Sequence, residues 1–108
     1  MAETFEIREY IEAGRSPFAE WFDDLDPMTA ARVDRYVRRL EAGNFGAAKA
    51  LHGGVYELRL DFGPGYRVYY GREGRTIVIL LGGGSKRRQD ADIAAAVERW
   101  KRYKQAKA

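Results

Sequence analysis

The sequence predicts an α+β domain in the order β-α-α-β-β-β-α, an antiparallel sheet with helices packed on one face. Period-2 alternation at residues 4–10, 55–61 and 66–70 gives strands. Apolar residues at helical spacing follow Ser16-Pro17, Asp26-Pro27 and Asp90 and give three helices. Glycine and proline punctuate the joins. At 108 residues the chain reads as one domain over 1–108, long enough to bury a core without disulfide staples.

Thr4 to Tyr10 alternates Phe5, Ile7 and Glu9 against Glu6, Arg8 and Tyr10, and its charges suit a sheet edge. Gly14-Arg15 breaks it. Ser16 caps a short helix that opens on Pro17 and places Phe18, Trp21, Phe22 and Leu25 on one face. Asp26-Pro27 repeats the signal and starts a second helix running to about Ala42, where Gly43 ends it. Its stripe of Met28, Ala31, Val33, Tyr36, Val37 and Leu40 is core. Its exposed face carries Arg32, Arg35, Arg38 and Arg39, which either extend a basic surface or keep the helix solvated. Asn44 to Gly54 reads as a loop containing Lys49 and His52.

Val55 to Asp61 and Tyr66 to Tyr70 form a hairpin around Phe62-Gly63-Pro64-Gly65. Pairing Leu58 with Val68 sets Tyr56 opposite Tyr70 and Leu60 opposite Tyr66, and puts Arg59 directly across from Arg67. A slip of one residue would bury Arg67 among leucines without a partner, which rules that register out. Two like charges side by side on a solvated face destabilise a sheet. Either an anionic ligand removes the penalty, or Glu57 and Asp61 on the same face neutralise both arginines.

Thr76 to Leu81 is apolar on both sides, as a covered central strand should be. Gly82-Gly83-Gly84 is expected to let the backbone leave the sheet and a ligand approach it closely. Ser85-Lys86-Arg87-Arg88 then delivers a cationic cluster just before the last helix, where side-chain charge and backbone N–H groups can meet one phosphate. That helix runs from Asp90 to about Lys104. Its stripe of Ile93, Ala96, Val97, Trp100 and Tyr103 is expected to cover the sheet face opposite the arginines.

The chain has no cysteine and one histidine, His52, which leaves no material for disulfides, thiolate metal sites or an imidazole cluster. The start lacks the apolar run of a signal peptide and no stretch is long enough to span a bilayer, so the expected location is the cytoplasm, without membrane contact. Net charge is +3 but uneven. Residues 1–26 carry eight acids and two bases, a balance of −6, which leaves +9 for the remainder. Such asymmetry points to a polyanionic partner for the later segments. As the one imidazole, His52 is a candidate general base.

Four motifs in this order carry a family resemblance: Gly54-Val-Tyr-Glu-Leu-Arg59, Gly63-Pro-Gly-Tyr-Arg-Val-Tyr-Tyr70, Leu80-Leu-Gly-Gly-Gly-Ser-Lys86, and Gln89-Asp90 with Asp92-Ile93 ahead of Trp100. They span about half the chain. Each is weak alone, but the ordered set resembles the RelE/ParE superfamily of bacterial toxins, and within it the HigB-like, phage Gp49-type branch of addiction module killer proteins. The resemblance implies a RelE-like fold and the toxin of a type II toxin-antitoxin system. It implies a ribosome-dependent, metal-independent messenger RNA endoribonuclease without cofactors. The implied partners are ribosome, messenger RNA and a cognate helix-turn-helix antitoxin, in a hetero-oligomer able to bind operator DNA.

In that chemistry a ribose 2′-hydroxyl attacks the adjacent phosphate, which requires positive charge at the transition state, a base and an acid. By resemblance, Arg67 matches the strand arginine that holds the scissile phosphate, Arg59 is its neighbour and Lys86 fills the basic position after the last strand. Lys49 is a looser match. Arg87, Arg88, Tyr69 and His52 are auxiliary or RNA-binding candidates. The tyrosine or histidine that some relatives place near the C-terminus is missing from Lys86-Arg87-Arg88-Gln89. Lys86, Lys49 or Tyr69 could move the proton, or the ribosome could complete the site. Two alternatives stay open: a ParE-like gyrase inhibitor, and a non-catalytic nucleic-acid-binding module.

Overall fold

Alternation along the central strands sorts their side chains into two apolar sets, and each set has its own cover. The computed structural model describes residues 4–107, so Glu3, one of the acids counted above, lies outside it. In chain order the elements are β1 (Glu6–Glu9), α1 (Pro17–Asp23), α2 (Pro27–Glu41), β2 (Ala48–Ala50), β3 (Val55–Arg59), β4 (Arg67–Glu73), β5 (Ile77–Gly84) and α3 (Gln89–Lys107). Short 3-10 turns occupy His52–Gly54 and Lys86–Arg88. The five strands are ordered β1-β5-β4-β3-β2. The Ser16 hydroxyl accepts the Ala19 N–H at 3.0 Å and the Asp26 carboxylate accepts that of Thr29 at 3.1 Å, so both helix starts are capped by the residues expected to cap them. Among the described residues no helix is long and apolar enough to cross a membrane.

On one face Leu58, Leu60, Val68, Tyr70, Val78 and Leu80 meet Phe18 of α1 and Val33, Val37 and Leu40 of α2. On the other, Val55, Tyr69, Ile79 and Leu81 meet Ala96 and Trp100 of α3. The α+β class holds, but the helices do not share one face. Val78 and Leu80 oppose Ile79 and Leu81 along β5, and helices on a single side would leave half of that strand in water. Thus α3 lies over the arginine face, the reverse of the expectation. The sheet is also not wholly antiparallel, because the β3-β4-β5 meander brings β5 back parallel to β1.

Two local readings are corrected as well. Ala48–Ala50, expected within a loop, forms an edge strand on β3, and at three residues it is too short to show alternation. The three glycines do not leave the sheet. Gly82, Gly83 and Gly84 pair with Tyr69, Val68 and Arg67, and a register shift between Tyr69 and Tyr70 marks a bulge.

What approaches those glycines is the protein itself. A Cβ on Gly83 would strike the Trp21 ring of α1, and one on Gly84 would strike the Asp92 carboxylate of α3. Gly71 of β4 does the same service on the other face, lying under the Trp100 ring. A tryptophan therefore rests on bare backbone on each side of the sheet. Gly71→Ala and Gly83→Ala are each expected to lower stability by about 1–3 kcal/mol through overpacking, measured as a reduced urea midpoint with an unchanged slope.

Candidate functional site

The β3–β4 turn builds the site. Its register is the expected one, with Leu58 opposite Val68, Tyr56 opposite Tyr70 and Arg59 opposite Arg67, and the Leu60 N–H donates to the Tyr66 carbonyl at 3.0 Å. Gly65 turns the chain with φ at 75°, a conformation costly for any residue with a Cβ. The neighbouring Pro64 carbonyl accepts the Lys86 N–H at 3.2 Å. A Cβ on Gly65 would lie 3.0 Å from the Lys86 Cβ and 3.1 Å from Arg67 Nη1. One turn thereby brings the strand arginine and the post-strand lysine to the same place.

Arg67 is 7% exposed, on the sheet face that α3 covers. Its Nη1 donates to the Gly65 carbonyl at 2.7 Å, and its Nε lies 3.5 Å from Glu57 Oε1 without forming a hydrogen bond. Glu57, 3% exposed, accepts a hydrogen bond from Gln89 Nε2 at 3.0 Å on its other oxygen. The arginine face is therefore covered rather than solvated where Arg67 stands. Neutralisation by Glu57 is realised for Arg67 alone, because Asp61 accepts the Tyr36 hydroxyl instead. Arg59 is exposed and lines a hollow with Tyr36, Arg39, Asn44 and Asp61. The two arginines are ladder partners with different surroundings.

Lys86, Arg87 and Arg88 are exposed on their turn and line a hollow with Gln89, Asp90 and Ala91. None of the three enters an ion pair among the described residues. Lys49 is exposed on β2 directly across from Glu57, which in turn faces Tyr69, so the three form one row across the sheet. His52 is exposed and distant. The turn that carries it packs Gly53 against Val97 and Gly54 against Trp100, roughly 12 Å along α3 from Gln89 by helical rise. Three of the four α2 arginines are used locally: Arg32 stacks over Phe62 at 4.0 Å, Arg39 over Tyr36 at 4.5 Å, and Arg38 pairs with Asp34 and Glu41.

The geometry thus gathers Arg67, Lys86, Arg87 and Arg88, with Tyr69 and Lys49 flanking Glu57, and leaves Arg59 and His52 outside. Glu57 and Gln89 are the polar residues that the sequence reading did not place in the site. Glu57 shares the strand parity of Arg59 and was legible as a same-face charge. Gln89 stood in the resembling motif Gln89-Asp90, but its contact with Glu57 depends on which face α3 covers.

Tyr69 is 1% exposed and its hydroxyl has no hydrogen-bond partner among the described residues. Burial, followed by the nearby Glu57 and Asp92 carboxylates, makes its proton harder to remove than that of an ordinary phenol. The unfolded chain ionises this group above about pH 10 while the folded one keeps the proton, so its contribution to stability is present at neutral pH and lost as pH rises through that range. Tyr70, pushed up to about 12 by burial, acts in the same sense. Tyr69→Phe is expected to melt at or above the wild-type temperature at pH 7, because it removes a buried unpaired hydroxyl. Between about pH 9.5 and 11.5 its unfolding free energy should fall less steeply than that of wild type.

Residues 20–103 of the 108 match the family described as Phage derived protein Gp49-like (DUF891). The matched span holds every residue gathered above. A protein of Haemophilus influenzae (strain KW20 / Rd), described as uncharacterized, is 44% identical over 80 residues, which cover 73% of this chain and 81% of that protein. The chain therefore belongs to the phage-derived Gp49-like family, a toxin-like family of the RelE/HigB type.

Proposed function

We propose that the chain is a HigB-like toxin that cleaves messenger RNA on the ribosome without a metal, held in check by a cognate antitoxin. The observation that carries this reading is the convergence at Gly65: a nearly buried arginine with its guanidinium oriented, beside a turn of three exposed cations that form no ion pair among the described residues. A flat nucleic-acid-binding surface has no need of a sequestered arginine. A phosphoryl transfer does, because oriented charge in a water-poor setting stabilises a transition state more than it stabilises the substrate.

In this reading the 2′-oxygen bonds to phosphorus as the bond to the 5′-oxygen breaks, leaving a cyclic phosphate and a free 5′-hydroxyl. Arg67 and Lys86 offset charge on the non-bridging oxygens, while Arg87 and Arg88 hold flanking phosphates. Arginine does not give up its proton in this range, and the Tyr69 phenol is held protonated by its burial. The proton transfers therefore fall to Lys86, to Lys49 at the open end of the Glu57 row, or to ribosomal groups. The Gp49-like membership supports a toxin and, with it, an antitoxin partner.

Wild-type protein added to a translating extract should produce new messenger RNA ends, mapped by primer extension. Arg67→Ala and Lys86→Ala should each slow cleavage by about 100- to 1,000-fold, the usual cost of losing a preorganised charge at a transition state. Blocked gyrase supercoiling with intact messenger RNA would favour the gyrase-inhibitor reading instead. Equal RNA binding by all variants with no cleavage would favour a non-catalytic module.

A further inference from the structure

Of the groups around Arg67, Glu57 is the one whose placement is hardest to explain by stability. A carboxylate 3% exposed in the middle of a sheet costs desolvation, and its pairing with Arg67 is loose, with Nε 3.5 Å away and no hydrogen bond formed. Its other oxygen is firmly held by Gln89 at 3.0 Å, on the first residue of α3 and directly after the cationic turn. Arg67 is restrained from two sides, by the Gly65 carbonyl on Nη1 and by the Glu57 charge facing Nε. Its Nη2 has no hydrogen-bond partner among the described residues.

We propose that Glu57 is a positioning residue: braced by Gln89, it fixes the Arg67 guanidinium so that the Nη2 side is presented to a phosphate lying against the Lys86–Arg88 turn. This rests on the ribonuclease reading above. Planar guanidinium groups grip phosphate through paired, parallel N–H bonds, so their orientation decides whether the charge is useful. Occupying the Nε edge with a fixed carboxylate leaves a single way to approach. It also prevents the arginine from relaxing toward solvent when no RNA is bound. Glu57 itself touches no substrate and transfers no proton in this scheme. The same relay ties the cationic turn to the arginine, since Gln89 is joined to Lys86–Arg88 by the chain and to Arg67 through Glu57.

Single-turnover cleavage of messenger RNA on programmed ribosomes tests this with Glu57→Gln, which keeps the shape of the side chain and a carbonyl for Gln89 but removes the charge facing Nε. The maximal rate should fall by about 10- to 100-fold, the size expected for a misplaced catalytic group, with the half-saturating toxin concentration nearly unchanged. In an Arg67→Ala background the same substitution should cost almost nothing further, because Glu57 acts only through Arg67. Gln89→Ala, which spares the buried pair, should give a smaller loss in the same direction and covers the case in which Glu57→Gln folds poorly.

The side-chain Nε–H signal of Arg67 in a nitrogen-edited NMR spectrum gives a readout independent of cleavage. It should be resolved in wild type and broadened in Glu57→Gln. Full activity in Glu57→Gln, a loss that adds to that of Arg67→Ala, or an unaltered Arg67 Nε–H signal would each overturn the proposal. Wild-type protein that cuts nothing while the Nε–H signal still depends on Glu57 would instead place the failure in the ribonuclease reading.

Discussion

The pairing of Arg67 with Glu57, nearly buried beneath the start of α3, is the constraint around which the rest of the molecule is arranged. Neither charge is tolerable alone at such burial, and removing one partner of a buried pair commonly costs about 3–5 kcal/mol. Both are supplied by neighbouring strands of the sheet, on the face that α3 covers. Gln89 completes the carboxylate, and the Gly65 carbonyl takes up part of the guanidinium. Gly84 leaves room for Asp92, and Gly71 lets Trp100 lie flat on the strands. In this way the packing of one helix and the orientation of one arginine become the same event.

The division of charge along the chain acquires a spatial meaning from this arrangement. Three acids of the N-terminal segment are engaged in ion pairs: Glu6 with Arg8, Glu20 with Arg15, and Glu12 with Arg102 of α3 at 3.0 Å. Of the α2 arginines, Arg32, Arg38 and Arg39 are likewise engaged by rings and carboxylates. Among the described residues, the cations left without ion pairs include the trio just before α3, near Arg67. Another surface groove lies between β1 and the two N-terminal helices, and its walls carry both signs through Arg8, Glu9, Asp34 and Arg38. The hollow at the start of α3 differs from it in being lined by three cations and a single acid, Asp90.

Much of this was legible before any coordinates. The hairpin register, with its facing arginines, followed from alternation and from the cost of burying an unpaired charge. Ser16 and Asp26 announced two helix starts through local chemistry that needs no tertiary context. What escaped the sequence depends on contacts distant along the chain. An apolar stripe such as Ile93 to Tyr103 says that α3 is covered but not which face of the sheet it chooses. From that one ambiguity came the wrong side for α3, the misreading of Gly82–Gly84 as an exit from the sheet, and the absence of Gln89 from the candidate site. Ala48–Ala50 escaped for a different reason, since three residues cannot display a period. The grouping of Arg59 with Arg67 was right for the ladder and incomplete for the side chains, because ladder pairing fixes Cα positions and not where a long guanidinium ends.

The central claim is that this arginine, shielded by the last helix, is the point at which RNA is held while it is cut. The most direct test is a structure of the protein on a ribosome whose messenger RNA carries a 2′-O-methyl group at the reacting ribose, so that the substrate binds but cannot be cleaved. The account predicts the scissile phosphate about 3 Å from the Arg67 guanidinium and in contact with the Lys86–Arg88 turn, with Glu57 still bound by Gln89. A phosphate seated instead on the Arg32–Arg35–Arg39 side of α2, with Arg67 untouched beneath α3, would contradict it.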